Sequence, residues 1–263
     1  MPFTLAHPAA VLPLIRRPLV ASALVAGAVA PDLLYVDPIY RFATQEIHGN
    51  LTLTLTHKFT SALWLDPLIA VILLAVFYLV LERPLRALAP AALAARLPAH
   101  ARPALLWTLV SVALGALTHV LWDSFTHGDG YFVRRFPDFF RAEVTATWDV
   151  NRVLQYASTL GGCLVLAVWL YRWFRRATPS SVPTDLVPSW ARCAVLAGVL
   201  LFGAAGAAVQ LRGVELAGEA AVRLVLTGLV LGGLAAFAWY VLIWHAVRVD
   251  RVRRRRDATD GAV

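Results

Sequence analysis

Residues 117–129 read LTHVLWDSFTHGD, an apolar stretch that ends in His119, Asp123, His127 and Asp129. Imidazole nitrogens and carboxylate oxygens bind zinc and similar divalent ions, and both handle protons. His119 and Asp123 are four residues apart, so a helix puts them on one face, a turn from each other. An ionisable group inside an apolar membrane helix costs about 2.5–3.5 kcal/mol on insertion scales, so it is kept facing a cavity or a partner. The pair also suits a plain His–Asp hydrogen bond in a helix bundle. Three further ionisable residues stand at the borders of apolar segments: His7 in LAHPAAVLPL, Asp32 in VAPDLLY and His57 in LTHKF. Singly, each reads as an interfacial polar residue. Five such residues, most of them at one face, make coincidence less attractive and strengthen the metal reading, with zinc the first expectation because histidine is prominent and manganese the alternative.

The elements that must position these residues are read from the hydropathy. The chain has 263 residues, 59% of them hydrophobic and 15% charged, with a mean hydropathy of +0.67. A soluble domain carries about 25% charge, so this is the composition of an integral membrane protein. A spanning helix needs about 20 mainly apolar residues. Segments 62–81, 104–125, 153–174, 190–211 and 223–245 qualify. Residues 4–33 hold two shorter apolar runs split by Arg16, Arg17 and Pro18. They read as a short, partly inserted helix followed by a short spanning one. The expected fold is an all-α polytopic membrane bundle of five or six spanning helices plus a short N-terminal helix. AVA before Pro31 has the form of a cleavage site. Proline directly after the cut, and an apolar segment ahead of Arg16–Arg17, argue against cleavage. Cys163 and Cys193 fall in apolar segments and read as small buried hydrophobes.

The formal net charge is +8, with Lys58 the single lysine. The arginines lie between apolar segments rather than on one polar face. That excludes a nucleic-acid partner and fits the positive-inside rule. RVDRVRRRR at 248–256 marks a cytoplasmic tail of a multi-pass protein of the cell (plasma or inner) membrane. Counting back, the 175–189 and 82–103 connections fall inside, and the 212–222, 126–152 and 34–61 connections fall outside. Asp32, His57, His119, Asp123 and His127 then lie at or near the outer face. Arg134, Arg135, Arg141 and Arg152 run against the rule and are partly offset by Asp129, Asp138, Glu143 and Asp149. Arg134 and Arg135 in YFVRRFPDFF suit phosphate oxygens, or equally an aromatic and basic segment touching lipid headgroups. Gln155, Tyr156 and Ser158 begin the next helix at the same face. Asp66 reads as a helix cap before Pro67. His48 and His100 read as solvated loop residues, and His245 sits beside the basic tail.

MPFTLAHPAAVLPL, AGAVAPDLLY, THKFTSALWLDPLIAVIL and GALTHVLWDSFTHGDGYF, followed by LQYASTLGG, resemble the DUF4184 family of bacterial membrane proteins over most of residues 1–165. The order of His, PD, TH and THxxxD is also similar to the YdjM-like membrane-bound metal-dependent hydrolases. The resemblance carries His7, Asp32, His57, His119 and Asp123 as metal-site positions and implies a hydrolase. Lys58 stands where that pattern has serine. The organisation expected is a site-bearing membrane domain at 1–175, two additional membrane helices at 176–247 and the basic tail at 248–263. The function expected is hydrolysis of a phosphoester or lipid substrate beside membrane lipids. Asp123 is a candidate general base and His127 a candidate acid, ligand or plain loop residue. The alternative is a non-catalytic membrane protein, or an ion or proton transporter using the same cluster.

Overall fold

A computed structural model describes residues 4–35, 55–98, 104–180, 186–212 and 218–260, with backbone alone at 219, 220, 223 and 251–260. His48 and His100 lie outside the described residues. Among the described residues, five helices are long and apolar enough to cross a membrane, which fits the all-α, multi-pass membrane protein that the hydropathy predicts. We number the helices α1 (Thr4–Leu14), α2 (Ala21–Tyr35), α3 (Leu65–Leu88), α4 (Leu105–Thr126), α5 (Val150–Arg176), α6 (Ser189–Gln210) and α7 (Gly218–Asp260). At 1.5 Å per residue, the 10–17 residues of α1 and of α2 reach about 15–25 Å. The hydrocarbon core is about 30 Å thick. Neither helix therefore crosses unaided, and the expected short span at the end of 4–33 is a short helix instead.

The chain divides into two units, Met1–Val76 with Pro98–Thr178 and Phe77–Leu97 with Pro179–Val263. In the first, α1 and α2 pack on each other and on α4; α1 also meets α5, and α2 meets the first half of α3. Arg16, Arg17 and Pro18 break the helix between α1 and α2, which leaves the first amides of α2 without helical partners. Ser111 Oγ accepts from Val20 N at 2.9 Å and donates to Trp107 O at 2.6 Å, so α4 satisfies that end of α2. Val11, Leu24 and Ala28 form one buried cluster, joined by Leu114; Ala62, Ala116 and Val120 form another.

The α2–α4 crossing depends on two glycines. A Cβ at Gly27 would sit 2.2 Å from Val112 O, and one at Gly115 would sit 2.2 Å from Leu24 O. Small residues let membrane helices approach backbone to backbone. This approach sets the position of everything one turn further along, on both helices.

Beyond α4, the chain forms the short helices Tyr131–Arg135 and Pro137–Phe140 and a pair of antiparallel strands, Glu143–Thr145 and Trp148–Asp149. Asp149 then caps α5, its Oδ1 accepting from Arg152 N at 3.2 Å. Asp66 is not a helix-end cap. It is fully buried in the first turn of α3, and its Oδ2 accepts from Ser61 Oγ at 2.8 Å. The cysteines are free thiols, and neither is buried: Cys163 is half-buried and Cys193 exposed. Both sit on spanning helices whose outer surface meets lipid rather than protein.

In the second unit, α6 and α7 pair extensively. The end of α3 belongs to the same unit, where Arg192 donates from Nε to Leu88 O at 2.9 Å and from Nη2 to Ala89 O at 3.2 Å. These bonds satisfy carbonyls that a helix terminus leaves without partners. Tyr240 Oη donates to Pro84 O at 2.8 Å.

Gly115→Ala should therefore lower the melting temperature in detergent, at a cost of about 1–3 kcal/mol for forcing backbones apart. Gly161→Ala on α5 is the control: a Cβ there meets nothing within 4 Å, so its melting temperature should hold or rise slightly. Equal losses in the two variants would show that the α2–α4 crossing does not carry the stability assigned to it.

Candidate metal centre

The elements near the crossing bring polar side chains to the same point. His7 comes from α1, Asp32 from the 3₁₀ end of α2, His57 from the turn ahead of α3, and His119 and Asp123 from α4. His127 follows directly on the end of α4. Each of the six sequence candidates contacts at least one other. His119 is fully buried, and His7, Asp32 and Asp123 are each less than 5% exposed.

The contacts radiate from the two carboxylates. Asp123 Oδ2 lies 3.2 Å from His119 Nε2, 3.4 Å from His57 Nε2 and 3.5 Å from His127 Nε2. Asp32 Oδ1 lies 3.3 Å from His57 Nε2 and 3.6 Å from His119 Nε2. Among the described residues, none of these five atoms has a hydrogen-bond partner, although all five are buried. They are close but not aligned to bond one another. A buried polar atom left so costs about 1–3 kcal/mol, and here five share one small space. The donor atoms of Asp32, His57, His119 and Asp123 all lie within 4.8 Å of one another. Zinc bonds of about 2.0–2.2 Å, arranged tetrahedrally, need ligand atoms about 3.3–3.6 Å apart. The carboxylate–imidazole separations, 3.2–3.6 Å, lie at or close to those spacings, so these four residues can hold a divalent ion.

The remaining atoms of these side chains are held from outside. His119 Nδ1 lies 2.7 Å from Ala28 O. A carbonyl only accepts, so Nδ1 carries the proton and neutral His119 turns the lone pair of Nε2 inward. Thr56 Oγ1 is 3.1 Å from His57 Nδ1. Thr4 Oγ1 donates to Asp32 Oδ2 at 2.7 Å, and His7 Nε2 meets Asp123 Oδ1 at 3.1 Å. His7 thus touches the oxygen of Asp123 that faces away from the other histidines. Its ring stacks on His119 with centroids 3.9 Å apart. Such outer contacts orient ligands and tune their basicity.

Two buried carboxylates need positive charge close by. Burial opposes a proton on His57, but the Asp123 and Asp32 carboxylates outweigh it and push its pKa up to about 9. A divalent cation held there would take over that balancing role.

A cavity of about 570 Å³ opens from this cluster, with His57, Asp123 and His127 in its wall. Lys58, Arg134 and Gln155 also line it. Arg135 does not; its guanidinium lies 5.8 Å from the Phe136 ring centre. Of the polar residues opening α5, Gln155 alone lines the cavity: Tyr156 stacks on Trp148 and Ser158 bonds to Gln155 O. Sequence reasoning missed Thr4, Thr56 and Tyr35, whose ring meets His57 edge-on at 5.2 Å. Thr4 had a usable signal, being three residues ahead of His7 and so on the same helical face. Thr56 adjoins a histidine, whereas Tyr35 gave no signal before the fold brought it near.

His119→Ala should abolish binding of zinc by the purified protein. His7→Ala should weaken it by about 10–100-fold, the usual effect of losing a contact behind a ligand. Elemental analysis and a zinc titration check both, and equal total loss in the two variants would place His7 on the ion itself.

No curated protein and no solved structure matches the chain. The family model described as "Domain of unknown function (DUF4184)" matches residues 1–245, which take in α1 to α6 and α7 as far as His245. The chain is a member of the DUF4184 family.

Proposed function

We propose that this protein is a membrane-bound, metal-dependent hydrolase that cleaves phosphoester or lipid substrates at the extracytoplasmic face. The observation that carries the reading is the group of five buried and unbonded donor atoms, three of them on residues (His57, Asp123 and His127) that line an open cavity. A purely structural clamp has no use for such a cavity. Zinc suits two imidazoles and two carboxylates, and manganese is the alternative. When bound, the ion supplies Lewis-acid polarisation and lowers the pKa of water toward about 7.

The chain's own residues do the rest. Asp32, His57, His119 and Asp123 hold the ion, while Thr4 and His7 fix the outward oxygens of the two carboxylates. His127 is the least enclosed of the donors, with its side chain 16% exposed, and it lines the cavity. Its Nε2 is placed to give a proton to a leaving group or take one from water. The cytoplasmic assignment of the Arg-rich tail follows the positive-inside rule. Alternating the five spans from that tail puts the end of α4, and the site, on the outer side.

The test is metal content followed by activity. Protein purified in detergent without added metal or a His-tag should hold near-stoichiometric zinc or manganese, lost in a His119→Ala/Asp123→Ala variant. The loaded protein should turn over a member of a phosphoester and lipid-ester panel. His127→Gln should lower kcat about 10²–10⁴-fold while keeping its metal. Wild type that stays metal-free after incubation with both ions would sink the hydrolase reading and leave a buried His–Asp network of the kind transporters use.

A further inference from the structure

The cavity beside the donor cluster is lined by cations from two separate elements. Lys58 follows His57 in the turn ahead of α3, and Arg134 lies in the short helix after α4. Lys58 is the single lysine of the chain. Asp123 and Asp129 are the acids in the lining. A divalent ion would neutralise Asp32 and Asp123, which leaves Lys58 and Arg134 facing Asp129 alone. The lining then carries excess positive charge. Its volume, about 570 Å³, is that of a site for a small ligand or a headgroup.

The wall is apolar at its aromatic side. Phe59 and Tyr131 both line the cavity, meet edge-on with ring centres 6.1 Å apart, and are partly exposed. A ligand with a charged end beside the donor cluster and an apolar end along these rings would match both parts of the wall. Guanidinium and ammonium groups recognise phosphate oxygens, the first by a planar fork and the second as a point charge.

We propose that this cavity binds a phosphate ester through its phosphate group, with Lys58 and Arg134 as the residues that set specificity for the anion. The proposal rests on the metal-hydrolase reading and names its substrate class. It also gives the two adjacent arginines different work. Arg134 faces the ligand, while Arg135, outside the cavity, serves the membrane surface.

Inorganic phosphate is the probe, titrated calorimetrically into zinc-loaded protein in detergent. Wild type should bind it. Lys58→Ser and Arg134→Ala should each weaken binding by about tenfold or more, the loss of one charged contact. Arg135→Ala should bind as wild type does. Metal content is measured on every sample and serves as the check that each variant is folded. If Arg135→Ala loses as much affinity as Arg134→Ala, or if zinc-loaded wild type ignores phosphate, the proposal is overturned. Wild type that takes up no metal would sink the metal reading and this proposal with it, because Asp123 would then offset the two cations. Metal-loaded wild type that ignores phosphate would overturn this proposal alone. Vesicles of phosphatidic acid that compete with phosphate where phosphatidylcholine vesicles do not would identify a lipid headgroup as the source. Binding of phosphate without such competition would identify a water-soluble ester.

Discussion

The backbone contact between α2 and α4 governs the rest of the first unit. At Gly27 and Gly115 the two helices come closer than any side chain allows. One turn beyond Gly115 is His119, and one residue beyond Gly27 is Ala28, whose carbonyl receives the Nδ1 proton of His119. Asp32 follows another turn along. A fraction of an ångström gained or lost at the crossing would break that bond and shift Asp32 relative to Asp123. In lipid, no hydrophobic force draws two helices together, so packing of this kind has to do the work. The candidate metal centre is the far end of that packing.

The same crossing explains why the ionisable residues are tolerated. Two carboxylates and two imidazoles almost without exposure would be a heavy load in an apolar bundle. They are grouped so that each carboxylate meets several histidines, and their outward atoms are met by Thr4, His7, Thr56 and Ala28. The inward atoms alone stay unbonded. This division, with outer atoms satisfied and inner atoms not, separates a ligand set from an ordinary polar network, whose members satisfy one another. The short helices α1 and α2 make it possible. They end inside the bundle, so polar groups at their ends can reach α4.

The sequence by itself determined the fold class, because burial in lipid demands long apolar helices and the chain's hydropathy displays five of them. It also determined which residues are chemically expensive. An ionisable side chain in an apolar run stands out without any structure, and His7, Asp32, His57, His119, Asp123 and His127 were legible on that ground. The pairing of His119 with Asp123 followed from helical spacing alone. The tertiary structure decided what local spacing cannot reach. The distance from Asp32 to His119 is fixed by a helix crossing between residues far apart in sequence, and no periodicity encodes it. So are the place of His7 on the outward oxygen of Asp123 and the parting of Arg134 from Arg135 at the cavity wall. Asp66 makes the same point from the other side. Its position before a proline spoke for a helix cap, but its carboxylate is buried and accepts from Ser61 instead. Hydropathy and spacing report how a residue relates to its own helix and to lipid. What it touches across helices depends on the closeness of approach, which side-chain volumes at the contact set in three dimensions.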